Sequence, residues 1–176
     1  MDAWKETVWN QFGAALDMLE NTIPACPDDL WDDRSHPPPY WHIVYHTLFY
    51  TDLYLSESEG AFKPAPFHTA NAQFLGEMPF PPHKAETPDW TPSKSAWVAY
   101  SEHCRSKLKT VIHSITEEKL VQKTAFYWLP FSNRDLLLYN LRHVQHHTAQ
   151  LALLVRQAGH AAPGWIGITK RSLTES

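Results

Sequence analysis

Cysteine is nearly missing from this chain: Cys26 and Cys104 stand far apart, with no CxxC pair. That excludes a disulfide framework and a dithiol redox motif, and leaves two small apolar residues of the kind buried in cytosolic proteins. No apolar run reaches the roughly 18 residues of a membrane helix. The start Met1-Asp2-Ala3-Trp4-Lys5 has no apolar h-region. Neither a span nor a signal peptide is expected, and the cytoplasm is the default location. Clustered positive charge is also absent. The 15 Lys and Arg residues are scattered and the net charge is −4 with His neutral, so no nucleic-acid footprint is expected. No phosphate-binding glycine loop and no Ser-His-Asp order offers a covalent or nucleotide chemistry.

What the chain has in plenty is histidine (11), tryptophan (8) and proline (14). A length of 176 residues with 43% hydrophobic content suits one soluble domain spanning residues 1–176, since about 70% of the extended chain's surface can be buried at this size. Trp4, Val8, Phe12, Ala15, Leu16 and Leu19 recur at helical spacing and predict an amphipathic helix over 3–21, closed by Pro24. Asp28 to Trp31 predicts one turn of helix. After Pro37-Pro38-Pro39, the stretch Tyr40 to Leu55 has no breaker and is apolar almost all round. Sixteen residues is long for a strand, so a central helix is expected.

Seven prolines between Pro64 and Pro92 forbid a long helix over 57–92. Phe62, Phe67, Phe74, Leu75 and Trp90 are interleaved among them, which predicts an excursion folded over the domain, with a short helix near Thr69 to Leu75 and a role as lid, dimer contact or plain surface packing. Thr91-Pro92 reads as N-cap and first residue of a helix running to about Ile115. Thr116 opens a short capped turn, and Phe126-Tyr127-Trp128 predicts a brief extended segment. Ser132-Asn133-Arg134-Asp135 has the form of a capping box. The helix it opens has no Pro or Gly until Gly159, a C′ residue, and buries Leu136, Leu137, Asn140, His143, His147, Leu151 and Leu154. Four long helices without a strand pattern give an all-α class, an up-down four-helix bundle with a long Pro-rich connection between its second and third helices.

His143 and His147 are four residues apart, a rotation of about 40° and a rise of about 6 Å on a helix, so both imidazoles leave one face. Together with Asn140 and Gln150 they lie on the apolar stripe. A lone histidine there is ordinarily satisfied by a hydrogen bond. Two at this spacing, with a further His on the central helix, point to a divalent metal held by three imidazoles with an open position. His42 and His46 share a helix face, so periodicity leaves open which takes part. His146 points about 100° away from its neighbours. His36, His68, His83, His103, His113 and His160 read as surface or loop residues.

The segment His143 to Leu151, HxxxH followed by Thr148-Ala149-Gln150-Leu151, resembles the closing motif of the DinB-like superfamily, and Trp41 to Phe49 resembles its second helix. The resemblance implies a metal-binding four-helix bundle, often a homodimer, in which His46, His143 and His147 hold the ion. It further implies kinship to metal-dependent thiol transferases and a thiol-dependent isomerase. Many members carry Arg-Gly after the last His where this chain has Thr148-Ala149, which removes one cation for holding an anionic thiol. By ligand type the ion is zinc or nickel. The expected function is a metal-dependent thiol S-transferase or hydrolase acting on a small molecule, with a thiol as first candidate and the catalytic residues unassigned. The alternatives are a non-catalytic or stress-related bundle with a structural metal, and a bundle with hydrogen-bonded core histidines and no metal. Asn140, Gln150 and Tyr50 are candidates to fix imidazole tautomers.

Overall fold

The computed structural model describes residues 3–35, 37–76, 78–79, 82–83 and 86–174, with the side chains of 78–79 and 82–83 left aside. Four long helices carry the structure: α1 (Ala3–Ala25), α3 (Tyr40–Tyr54), α4 (Lys94–Ser114) and α6 (Asn133–Gln157). Single turns α2 (Asp28–Trp31) and α5 (Glu117–Val121) punctuate the connections, and β1 (Met78–Pro79) pairs with β2 (Pro82–His83) in the excursion. The all-α class stands. Among the described residues no helix is long and apolar enough to cross a membrane.

α1 and α3 lie across the bundle from each other, each packed on α4 and α6. Side-chain contacts give the directions. Lys5 reaches the His113 carbonyl and Ser101 reaches Glu20, so α1 and α4 are antiparallel. Asn140 bonds the Thr51 carbonyl and His147 meets His46, so α3 and α6 are antiparallel. Trp97 stacks near Trp41 and Lys107 bonds Ser56, so α3 and α4 run parallel. The order is therefore up-down-down-up rather than a reversal at every connection. Parallel neighbours need a crossover rather than a tight turn, and residues 55–93 provide it.

α3 is the central element: 13 of its 15 residues are buried, and the two that are not, His46 and Tyr50, are one turn apart. Its β-branched and aromatic residues are indifferent helix formers, at a cost of under about 1 kcal/mol each. Burying each large side chain contributes roughly 1.5–3 kcal/mol, so packing decides. Trp41, Tyr45 and Leu48 meet Phe12, Leu16, Trp97 and Leu108 in one core. The excursion joins that core through Phe67, against Tyr45, Trp90 and Trp97, and through the wholly buried Ala72.

Several local expectations are corrected. α1 continues through Pro24 to Ala25; the bond the proline forfeits and its crowding of the carbonyl four residues back fall in the last turn, with one helical residue left to follow. α4 is capped by Ser93, whose hydroxyl accepts from the Ala96 amide, so Thr91 and Pro92 precede the helix. Thr69 to Leu75 forms turns instead of a helix, with Asn71 at a φ of 65°. Tyr127 and Trp128 form a turn, and the local pairing is a bridge between Lys123 and Ser132. The Ser132–Asp135 capping box and the left-handed Gly159 are as expected. Both cysteines are free and buried.

Candidate metal centre

The site forms where α3 exposes its one unburied stripe to α6. His46 from α3 and His143 and His147 from α6 bring one ring nitrogen each to within 4.8 Å of one another. His143 Nε2 lies 3.0 Å from His46 Nε2. The ring centroids of His46 and His147, and of His143 and His147, are 4.6 Å apart. Two imidazoles bound to one ion at about 2.1 Å place their nitrogens roughly 3.0–3.4 Å apart, so the spacing fits shared coordination.

Tautomers are imposed from behind. His46 Nδ1–H donates to the Gln73 carbonyl at 2.6 Å. A carbonyl only accepts, so the proton is on Nδ1 and Nε2 is a bare lone pair facing α6. His147 Nδ1–H donates to Gln150 Oε1 at 2.7 Å with the same result. His143 Nδ1 is buried with no partner. The tyrosine ring of Tyr50 closes one side, 4.9 Å from His46 and 5.7 Å from His143.

A proton is not the cation this arrangement takes. Burial, with the neighbouring imidazoles, pushes His46 down to about 3 and His143 to about 2. Burial also lowers His147, partly opposed by its bond to Gln150. At neutral pH three uncharged imidazoles therefore converge, and among the described residues no carboxylate joins the group. His46 Nε2 accepts from His143 Nε2–H, and a shift of that proton to the unpartnered His143 Nδ1 would turn all three nitrogens into the neutral donors that a divalent transition metal needs. The residues fit a metal ion.

The structure separates residues that the sequence left together. His42, one turn before His46, points into the excursion: its Nε2–H donates to the Ala72 carbonyl at 2.6 Å and its Nδ1 accepts from Thr87 at 3.3 Å. Asn140 is used one turn away, on the Thr51 carbonyl, and does not orient an imidazole. His143 and Leu154 are half-buried rather than buried. His146 is exposed with its ring beside His147. His68 is no loose loop residue; it bonds the Tyr45 hydroxyl and stacks on Phe49. His103 and His160 are exposed, and the exposed His113 bonds the Leu173 carbonyl. His36 and the His83 side chain lie outside the described residues. The Gln73 carbonyl is a functional group that sequence reasoning missed, because a backbone acceptor carries no residue signature.

Three neutral imidazoles between antiparallel helices of a four-helix bundle define a bundle protein with a candidate metal centre. The family model of the DinB superfamily matches residues 11–151, taking in all three histidines, and the chain belongs to that superfamily. It is also similar to the uncharacterized protein YrdA of Bacillus subtilis (strain 168), at 30% identity over 81 residues. That alignment spans 45% of this chain and 48% of the relative, about half of each.

Proposed function

We propose that the protein binds one divalent metal ion, zinc or nickel, through His46, His143 and His147, and acts on a small molecule as a thiol S-transferase or hydrolase. The observation that carries the reading is the convergence of three neutral nitrogens within 4.8 Å at the one unburied stripe of α3. An ion held by three imidazoles would supply a lowered pKa to a bound water or thiol. The chain's own residues do the rest. Gln73 and Gln150 hold His46 and His147 in the tautomer that presents Nε2. Tyr50 walls the site with an apolar ring. Burial holds the Tyr50 hydroxyl up at about 12, so it stays a hydrogen-bond donor.

Two further points favour an enzyme over a structural metal. Among the described residues no fourth ligand joins the group, and a closed structural site wants four. The chain's own thiols are out of reach of chemistry: burial pushes Cys26 up to about 12 and Cys104 well above its usual value. Any thiol must therefore arrive as a substrate. A homodimer and a cytoplasmic location belong to the same proposal. The dimer is supported by the family and by apolar side chains left exposed, Tyr127 at 80% and Trp165 at 76%. A sedimentation mass near the 20.3 kDa of one chain would remove it.

The test of the metal is elemental analysis of purified protein. About one zinc or nickel per chain is expected, falling to background in His143→Ala. Added metal should also raise the melting temperature of stripped protein, since a ligand at 100 times its Kd stabilises by about 2.7 kcal/mol. Stripped protein whose melting point ignores both metals would sink the reading. A screen pairing thiols with electrophiles, beside ester and amide substrates, separates transfer from hydrolysis.

A further inference from the structure

The two histidines of α3 grip consecutive carbonyls of the excursion. His42 Nε2–H holds the Ala72 carbonyl and His46 Nδ1–H holds the Gln73 carbonyl, each at 2.6 Å. In extended backbone, successive carbonyls point to opposite sides. Both can face one helix only because the chain turns here, with Ala72 N–H bonded to the Thr69 carbonyl and Phe74 N–H to the Asn71 carbonyl. Asn71 supplies the left-handed residue, φ 65°, that this pair of turns needs, and Asn is among the few side chains that adopt it readily.

His42 has no route to the ion of its own. It is 1% exposed, stacked on Trp41, and both its nitrogens are spent on the excursion, at Ala72 and Thr87. Because the Phe74 N–H to Asn71 carbonyl bond spans Ala72 and Gln73 and restrains the dihedrals between their carbonyls, fixing one carbonyl restrains the other. We propose that His42 and the Asn71 turn are the positioning apparatus of the metal centre: by pinning the Ala72 carbonyl, His42 sets the Gln73 carbonyl on His46 Nδ1, which presents His46 Nε2 to the ion. Of the two histidines four residues apart on α3, His46 is thus the ligand, and His42 is a positioning residue acting through the loop. This inference rests on the metal reading above for its affinity consequence, and on geometry alone for its tautomer consequence.

Three variants test it, each checked for native helix content and assayed well below its melting temperature. His42→Ala removes the pin. Asn71→Val keeps His42 but forbids the left-handed turn, while Asn71→Gly permits it. Zinc titration by chelator competition should show His42→Ala and Asn71→Val weakened by about 10- to 100-fold, the usual effect of losing a ligand's supporting partner, with Asn71→Gly close to wild type. Long-range proton–nitrogen NMR of the metal-free protein should show His46 protonated at Nδ1 in wild type and Asn71→Gly, and mixed in the other two. Wild-type zinc affinity and an unchanged His46 tautomer in His42→Ala and Asn71→Val would overturn the inference, as would an equal loss in Asn71→Gly. If wild-type protein takes neither zinc nor nickel, the metal reading falls by itself, and the metal-free tautomers still decide this one.

Discussion

Two buried polar clusters occupy opposite seams of this bundle, and they are built on opposite rules. On the α1–α4 seam, Arg105 is 4% exposed and bonds the Gly13 carbonyl, Asp17 and Glu20. Arg171 closes on Glu20 and Glu102, Ser101 on Glu20, and Thr169 on Asp17. Every buried charge there faces an opposite one. On the α3–α6 seam, three imidazoles face one another without any charge. A cluster that exists to hold the fold is closed by its own members. The other gathers three imidazoles that could hold a cation, and burial has barred the proton from that part. Charge pairing within a cluster is what tells the two kinds apart.

Breaking the paired seam should have the largest effect on stability. Arg105→Ala takes the buried cation from Asp17 and Glu20 and leaves them the more exposed Arg171, and removing one partner of a buried pair costs up to about 3–5 kcal/mol. A large drop in melting temperature is expected while metal per chain is unchanged. Loss of metal together with stability would erase the distinction between the seams. The histidine seam should respond to pH instead. His46 and His143 lie at about 3 and 2 in the native protein, below the roughly 6.5 of an unfolded chain. Between those values the unfolded state takes up protons that the metal-free native state refuses, so stability falls as pH drops. From pH 6.5 to 5 the two together should cost on the order of 3 kcal/mol. Denaturant melts of stripped protein check this, and His143→Leu should flatten the dependence.

A smaller effect is expected where the C-terminal strap docks on the charged seam. A Cβ on Gly13 would meet Thr169 Cγ2 at 2.7 Å. Gly13→Ala must displace a strap that also bonds α1 through Thr169 N–H to the Asn10 carbonyl and Trp9 Nε1–H to the Arg171 carbonyl. A loss of about 1–3 kcal/mol is expected, as for other overpacked contacts. Limited proteolysis should then cut residues 165–174 faster, with zinc affinity untouched. Unchanged protease resistance would mean the strap has room to spare.

Much of this was legible in the residues because periodicity reports burial. The four long helices, the capping box at Ser132, the turn at Thr116 and the stop at Gly159 all follow from local pattern. So does the spacing of His143 and His147. What pattern could not report were features set by tertiary neighbours. His42 and His46 have the same helical phase, and what separates them is the excursion's backbone. The parallel pairing of α3 with α4 depends on where a 39-residue connection lands, which no window of residues encodes. The strap was invisible because Thr169 and Arg171 acquire meaning only beside Asp17 and Glu20. The cap falls at Ser93 rather than Thr91 because both have a suitable hydroxyl and that of Thr91 is bonded to Asp32, a residue far off in the chain.

The crossover between the parallel helices has one more implication, which is about length. α3 spans 15 residues, or about 22 Å at 1.5 Å each. A chain returning to the starting end in extended form would need only about seven residues. The connection from 55 to 93 uses 39. Its extent is therefore not dictated by reach, and the surplus is spent on covering α3, with Ala72, Gln73, His68 and Phe67 all seated on that helix. An insertion near 57–65 should cost little, since a longer loop adds only slowly to closure entropy. A deletion that takes out 68–73 would leave the bundle connected and its histidines uncovered. The same stretch of chain is expendable to the topology and indispensable to the site.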